Sequence, residues 1–169
     1  AGIITTNSLD IYKKINKIKN IGASKKFNHE LIGFNNRLDT LQASILVHKL
    51  KELDRLNSYR VRTANKFFSK IKNKKISFLN YSDHSVYHQF VIKVKNRNNF
   101  IRYMKKNRIE TGLHYPHTIN QMKYFKDNFK KDYFENAESL ANECVSLPID
   151  PMLKNNEVDL IIKKINKFN

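Results

Sequence analysis

The chain has 169 residues, enough for one compact domain or for part of a larger protein. Hydrophobic residues make up 40% of the chain and aromatic residues 11%, which supplies a core and excludes a disordered tail or a fibrous repeat. No apolar stretch is long enough to span a membrane, and no signal peptide is recognisable. The single cysteine, Cys144, cannot form an internal disulfide, so we expect a soluble protein of the reducing cytoplasm with no membrane partner.

The formal net charge is +17, from 32 basic and 15 acidic residues, so a nucleic-acid partner has to be considered first. A functional charge excess would gather arginine and lysine on one face, beside exposed aromatic side chains or Gly-rich turns. Here the excess is mostly lysine, scattered from Lys13 to Lys167 among asparagine and isoleucine. This pattern favours compositional drift on solvated surfaces over a nucleic-acid partner.

The first third of the chain predicts a strand, a surface helix and an irregular polar segment. The β-branched run from Ile3 to Thr6 indicates a strand, which needs a partner and so suggests the second part of a larger protein. Asn7 and Ser8 predict a helix cap, and apolar residues at helical spacing then continue to a stop at Gly22. Residues 23–36 are polar and are predicted to be irregular.

Apolar residues at helical spacing predict a long helix from Leu38 to about Lys72. Alternation predicts strands at 76–79 and 86–94, and Asn96 predicts a cap for the helix that follows. A further strand is expected from Ile109 to His114, which completes a β-α-β unit. A loop and a short helix are expected after Pro116.

Two more helices are predicted near the C-terminus. One carries Ala137, Leu140, Ala141 and Cys144 on a single face, which indicates that Cys144 is a small buried hydrophobe and not a nucleophile. The last helix has an apolar face and a charge distribution that matches the helix dipole. Its apolar residues are Val158, Ile161, Ile162, Ile165 and Phe168.

The sequence offers weak signals for metal or nucleotide sites and one stronger candidate for an anion site. His114 and His117 have His-x-x-His spacing, but no cysteine or nearby carboxylate completes a ligand set, so no metal is predicted. Asn35 and Arg37 lie in a lead-in to the long helix, where amide and guanidinium donors could hold a phosphate. The alternative is that Asn35 is a turn residue and Arg37 a surface charge, and this segment alone favours that alternative.

Four segments of the chain carry more specific motifs. In chain order they are GFNNRLDTLQA (33–43), VYHQFVI (86–92), IETGLHYP (109–116) and LPIDP (147–151). Together they resemble the C-terminal part of the DegT/DnrJ/EryC1/StrS sugar aminotransferases. The opening GIITTN (2–7) is similar to the strand that follows the cofactor lysine in that family.

The resemblance implies a pyridoxal 5'-phosphate enzyme of fold type I. Members are homodimers with shared active sites that move an amino group from glutamate or glutamine to a ketosugar, usually a nucleotide-linked one. By resemblance, Asn35 hydrogen-bonds the cofactor phosphate of the neighbouring subunit and Arg37 lies nearby. His29, His114 and Tyr115 would face the active-site cleft and bind the sugar substrate. Thr118 and Asn120 replace the Pro and His that the family often has.

The resemblance also implies an α/β fold that is incomplete here, since the family's Schiff-base lysine lies upstream of the matching segments. Residues 1–37 would form the end of the large cofactor-binding domain and an interface loop, 38–72 a long connecting helix, and 73–169 a small α/β domain. Without the lysine, the 169 residues alone are predicted to be inactive. Two alternatives stay open, a basic α/β nucleic-acid-binding module and a noncatalytic interaction domain.

Overall fold

The computed structural model describes residues 2–125 and 133–169. The chain divides into an N-terminal unit, Ala1–Leu53, and a C-terminal unit, Asp54–Asn169. The helices of the described residues are α1 (Leu9–Lys19), α2 (Thr40–Lys51), α3 (Leu53–Lys70), α4 (Arg97–Lys106), α5 (Glu135–Glu143) and α6 (Asn155–Asn166), with a short 3₁₀ turn at Ile119–Gln121. The strands are β1 (Ala23–Lys25), β2 (Asn28–His29), β3 (Ile76–Phe78), β4 (Phe90–Val94) and β5 (Cys144–Leu147).

Helix α1 begins and ends where the sequence predicts. The Ser8 hydroxyl accepts a hydrogen bond from the Ile11 amide at 3.4 Å, which confirms the predicted cap. The helix is closed when the Gly22 amide donates to the Lys17 carbonyl at 2.8 Å. Gly22 has a φ of +73°, the left-handed conformation that glycine adopts at little cost.

One expectation for the N-terminal unit is wrong, and another stays a prediction. Residues 3–6 have no hydrogen-bonded neighbour among the described residues, so the strand expected there, which requires a partner strand, stays a prediction. The segment expected to be irregular contains a short hairpin, in which β1 and β2 pair antiparallel with Ala23 opposite His29. Its turn places Phe27 at a φ of +68°, which the residue type does not signal.

The stretch predicted as one helix, 38–72, holds two helices. Asp39 caps α2, its carboxylate accepting from the Gln42 amide at 2.8 Å. The helical pattern breaks at Glu52, whose amide bonds to the Lys49 carbonyl three residues back at 3.1 Å. The apolar spacing continues through this one-residue interruption, so periodicity cannot detect it. The predicted domain limits at 37 and 72 remain predictions.

The C-terminal unit contains an antiparallel sheet of order β3-β4-β5. Ile76 lies opposite Val94, and Phe90 lies opposite Leu147. The sequence does not predict strand β5, because the first residue of the strand, Cys144, continues the helical spacing of the apolar residues in α5. Cys144 therefore starts a strand and is half-buried, where a buried position on a helix was predicted.

Two predicted strands of the C-terminal unit are shorter than expected. Strand β4 begins at Phe90 and not at Val86, because Tyr87 has a φ of +51° that interrupts extended backbone. The strand predicted from Ile109 to His114 is reduced to an isolated antiparallel bridge between Gly112 and Ser146. Part of the loop expected after Pro116, residues 126–132, lies outside the described residues.

The core of the C-terminal unit lies between the sheet and helices α3, α4 and α6. Phe90 is fully buried, with its ring stacked on Tyr81 at a centroid distance of 5.6 Å and tilted against Phe67 at 5.1 Å. Helix α6 buries the apolar face that its sequence predicts: Val158, Ile161, Ile162 and Ile165. Among the described residues, no helix is long and apolar enough to cross a membrane.

Candidate functional site

The loop that carries Asn35 and Arg37 is fixed against the end of α1 by two glycines. A Cβ on Gly33 would lie 2.2 Å from the Gly22 nitrogen, so the two backbones approach more closely than any side chain permits. The Phe34 amide donates to the Ile18 carbonyl at 2.7 Å, and the Asn36 amide donates to the Lys19 carbonyl at 3.0 Å. These bonds satisfy carbonyls at the end of the helix and set the position of the loop.

Asn35 presents its side chain to solvent. Its backbone forms an isolated bridge with Asn20, while its side-chain amide has no hydrogen-bond partner among residues 2–125 and 133–169. An exposed amide with unused donors is free to bind a ligand. An Asn that stabilised its own turn through its side chain would form a local hydrogen bond, and Asn35 forms none within the described residues. Its binding role stays a prediction.

Arg37 lines a shallow depression of about 570 Å³ in the N-terminal unit. The depression contains four cationic side chains, which are Lys13, Lys17, Lys19 and Arg37. Asn20 and the Ser24 side chain also line it and can add hydrogen bonds. This donor set fits an oxyanion such as a phosphate group.

One of the four cations is already paired. Lys17 forms a salt bridge with Glu30, and Ser24 also hydrogen-bonds this carboxylate. The Lys17 hydrogen bond, followed by that of Ser24, holds the pKa of Glu30 below its ordinary value. Within the described part of the chain, Lys13, Lys19 and Arg37 have no carboxylate partner, so the depression keeps a net positive charge.

The helix that follows Arg37 does not supply the anion site that the sequence suggests. Asp39 caps α2, so its own carboxylate occupies the position at which the first amides would hold a phosphate. Asn35 does not line the depression with Arg37, although its bridge partner Asn20 does. The cations of the depression therefore lie on α1 and on the Arg37 loop, and not at the start of α2.

His29 ends β2 and is exposed. Its Nδ1 lies 2.9 Å from the Ile21 carbonyl oxygen, and since a carbonyl only accepts, Nδ1–H is the donor. In the neutral ring Nε2 is then an acceptor. His29 belongs to the N-terminal unit, whereas His114 and Tyr115 belong to the C-terminal unit.

A cleft of about 770 Å³ in the C-terminal unit brings His114 and Tyr115 together. Its walls are mostly apolar and are formed by Leu79, Val91, Ile119, Met122, Phe134, Ala137, Leu140 and Ala141. Polar side chains at the cleft include Gln89, His117, Thr118, Asn120 and Ser146. A largely apolar cleft with a few polar groups is the usual form of a small-molecule site.

Tyr115, one of the predicted substrate residues, is 82% exposed, and its φ is +55°. This conformation is uncommon for an aromatic residue, and it is more so for the residue before a proline, Pro116. Such strain persists only where the surrounding structure imposes it, and it is concentrated at ligand sites. Tyr115 contributes little to the core, and its contact with a ligand stays a prediction.

Sequence reasoning missed several residues of the cleft, above all Ser146. It is 6% exposed, and its Oγ lies 2.8 Å from Nδ1 of His114. The signal was available, because Ser146 directly precedes the LPIDP motif. Cys144 also lines the cleft, and burial raises the pKa of its thiol. Across the described residues there is no cluster of three His, Cys, Asp or Glu side chains that could hold a metal.

The fold is that of the pyridoxal-phosphate-dependent sugar aminotransferases. The structure of S. venezuelae DesV superposes with a TM-score of 0.87 and 26% identity, covering 96% of this chain and 45% of that one. The structure of Helicobacter pylori PseC, an aminotransferase involved in pseudoaminic acid biosynthesis, has a TM-score of 0.84 at 23% identity, over 96% and 47% of the two chains.

The family model for the DegT/DnrJ/EryC1/StrS aminotransferases matches residues 1–166, and the chain belongs to this family. It is 35% identical over 169 residues to a dTDP-3-amino-3,6-dideoxy-alpha-D-galactopyranose transaminase of Aneurinibacillus thermoaerophilus, which covers 99% of this chain. The chain spans 46% of that relative, about half of its length. The resemblance in the motifs is thereby confirmed.

The family depends on pyridoxal phosphate, and the residues present fit part of that cofactor. The unpartnered Asn35 amide and the cations beside Arg37 are suited to its phosphate group. By the same family resemblance, the lysine and the acidic group that hold the pyridine ring belong to the region upstream of these segments.

Proposed function

We propose that this chain is the C-terminal portion of a pyridoxal-phosphate-dependent aminotransferase that acts on a nucleotide-linked ketosugar. The amino group would come from glutamate or glutamine, and the product would serve amino-sugar or cell-surface polysaccharide biosynthesis in the cytoplasm. The family match along residues 1–166 carries the proposal. The loop at Asn35 and the cleft at His114 support it, because both lie in the motifs that define the resemblance.

In this proposal the N-terminal unit binds the cofactor phosphate of the neighbouring subunit. Asn35 donates its side-chain amide, and Arg37 adds charge and further donors. When bound, the cofactor supplies the electron sink needed to move the amino group. The protein residues hold its phosphate and thereby fix the position of the ring.

The substrate is proposed to contact His29, His114 and Tyr115. His114 and Tyr115 already share one cleft, and the apolar walls of that cleft can pack against the carbon face of a sugar. His29 offers an acceptor at Nε2, since its Nδ1 is bound to the Ile21 carbonyl. Donors and acceptors at different positions suit a polyhydroxylated substrate.

A homodimer with shared active sites follows from the cross-subunit role of Asn35. The surface from His29 to Leu41 supports this assignment, since Ile32 is 92% exposed and Phe34, Leu38 and Leu41 are exposed as well. Several exposed apolar side chains within one short segment suit a protein interface. The same proposal makes the 169 residues alone inactive, because they lack the family's Schiff-base lysine.

The test is a titration of the apoenzyme that contains the upstream region with pyridoxal phosphate. Asn35→Ala should lose one hydrogen bond to a charged group, about 1.5 to 3 kcal/mol, and so weaken cofactor affinity roughly ten- to a hundredfold. The melting temperature of the apoenzyme should stay the same, because Asn35 is exposed. Arg37→Ala should act in the same direction.

Two controls match these substitutions. Asn80→Ala removes an exposed loop asparagine of the C-terminal unit, and Lys123→Ala removes an exposed cation that does not line the Arg37 depression. Neither should alter cofactor affinity. An Asn35→Ala enzyme with unchanged affinity and unchanged stability would show that Asn35 is only a turn residue and would overturn the cross-subunit assignment.

A further inference from the structure

Two residues to which the family motifs assign no role, Ser146 and Gly112, lie next to His114. Ser146 lies on β5 and is 6% exposed, and its Oγ is 2.8 Å from Nδ1 of His114. Gly112 pairs with Ser146 through two backbone hydrogen bonds, of 2.8 and 2.9 Å. The histidine side chain itself is exposed and lines the cleft. Nδ1 is thus hydrogen-bonded to a residue of the strand, and Nε2 is available to a ligand.

We propose that Ser146 and Gly112 are positioning residues that keep the proton of neutral His114 on Nε2, so that this nitrogen donates to an acceptor oxygen of the sugar nucleotide. The inference rests on the proposed role of His114 in substrate binding. It adds the groups that make this histidine a hydrogen-bond donor.

The proton assignment follows from the surroundings of Ser146. A neutral imidazole has one N–H donor and one acceptor nitrogen. If Nδ1 carried the proton, it would donate to Oγ, and the buried serine hydroxyl would need another acceptor. Within the described residues, Nδ1 of His114 is the sole hydrogen-bond partner of that hydroxyl. Leaving a buried donor unpaired is unfavourable, so Ser146 donates to Nδ1 and the proton resides on Nε2.

Gly112 provides the space for this arrangement. A Cβ at this position would lie 2.7 Å from Cε1 of His114 and 3.2 Å from its Nδ1. It would also lie 3.2 Å from the Cβ of Ser146. A side chain at position 112 therefore requires the His114 ring to leave its position beside the serine. The glycine of the IETGLHYP segment leaves room for the ring of His114, two residues further along.

The first test measures the ¹⁵N chemical shift of Nδ1 in the His114 ring. In the 169-residue chain, with ¹⁵N-labelled histidine and at a pH that keeps the imidazole neutral, Nδ1 of His114 should give the shift of an unprotonated nitrogen that accepts a hydrogen bond. Ser146→Ala should move this shift toward that of a free acceptor. Gly112→Ala should do the same by displacing the ring. Ser77→Ala, which removes an exposed serine on β3, should leave it unchanged. A protonated Nδ1, or an identical shift in Ser146→Ala, would overturn the proposal.

The second test separates positioning from structure in the holoenzyme. Ser146→Ala should raise KM for the nucleotide-linked ketosugar about three- to tenfold while changing kcat less than about twofold, since a modest hydrogen bond is lost in binding. In a His114→Gln background the same substitution should have no further effect on KM. An equal rise in KM in both backgrounds would show that Ser146 acts on the fold and not through His114. A holoenzyme inactive on every nucleotide-linked ketosugar would overturn the proposed function instead, and the Nδ1 shift would still decide the role of Ser146.

Discussion

The N-terminal and C-terminal units differ in how they are held together. The C-terminal unit encloses a continuous core that contains Phe67, Phe90, Phe100 and Ile165, all fully buried. In the N-terminal unit, Ala23 is the one buried hydrophobic residue among those described. Its hairpin and loop are instead connected by backbone hydrogen bonds and by the contacts of Glu30. Apolar burial dominates stability, and the contacts described for the C-terminal unit are mainly apolar, whereas those described for the hairpin and loop of the N-terminal unit are polar.

This difference matches the roles proposed for the two units. His114 needs a rigid backing, which β5 provides from within the core. In the proposal Asn35 reaches another subunit, and it lies on a loop whose apolar neighbours Phe34 and Leu38 are exposed. A site built on a stable scaffold together with a loop at an interface is a common division in enzymes.

The largest expected effect is on the core of the C-terminal unit. Phe90→Ala should lower the free energy of unfolding by about 3 to 5 kcal/mol, because it leaves a cavity at the centre of the aromatic cluster. Phe90 is 0% exposed and has ring contacts with Phe67 and Tyr81 at 5.1 and 5.6 Å. Urea unfolding of the 169-residue chain measures the change.

The matched substitution in the N-terminal unit is Leu50→Ala on α2. Leu50 is 67% exposed, so its loss should cost less than about 0.5 kcal/mol in the same experiment. A cost for Leu50→Ala as large as that for Phe90→Ala would show that the apolar face of α2 is covered in the chain in solution, and the contrast between the units would fail.

Much of this contrast can be predicted from sequence. The apolar face of α6 is confirmed, because four residues at helical spacing leave one way to bury them. The motif residues Asn35 and His114 were found by resemblance, since each lies in a segment of specific sequence. The contact of Ser146 with His114 could not be predicted, because it joins residues 32 positions apart through an isolated bridge. The left-handed backbone of Tyr87, which shortens β4, likewise follows from tertiary packing and not from local pattern.

An intermediate effect is expected at Gly33, which fixes the loop that carries Asn35 and Arg37. Gly33→Ala places a Cβ 2.2 Å from the Gly22 nitrogen and 2.6 Å from the Ile18 carbonyl oxygen, so the backbone has to move. Cofactor affinity should fall by roughly tenfold or more, comparable with the loss of one hydrogen bond to a charged group. Titration of the apoenzyme with pyridoxal phosphate measures it.

Asn80→Ala is the control, because it changes an exposed loop residue of the C-terminal unit and leaves both glycines in place. It should bind the cofactor as the unmodified protein does. Unchanged affinity in Gly33→Ala would mean that the close packing of Gly22 and Gly33 does not determine where Asn35 lies.

The smallest expected effect is a loss of amide protection at low pH. It tests whether polar contacts stabilise the hairpin of the N-terminal unit. The Lys17 hydrogen bond, followed by that of Ser24, lowers the pKa of Glu30 from its ordinary value of 4.5. A carboxyl whose pKa is lower in the folded state stabilises the fold at pH values above its unfolded pKa, and this contribution is lost as the pH falls through the folded pKa. Amide protection in the hairpin should therefore decline as the pH falls below about 4.5, while Glu30→Gln, with no charge to titrate, should lack this step.

The salt concentration provides a second test of the contact between Lys17 and Glu30. The Lys17 and Glu30 side chains are 35% and 39% exposed, so screening by ions should weaken their attraction and reduce the protection at neutral pH. Amides of β4 should not follow this change, because Ile92 and Val94 at their centre are buried in an apolar core. Hydrogen exchange of both segments is measured in one sample, so that β4 serves as the internal reference for the hairpin. If the hairpin and β4 lose protection together, the chain opens as one cooperative unit, and the division between a polar and an apolar unit is wrong.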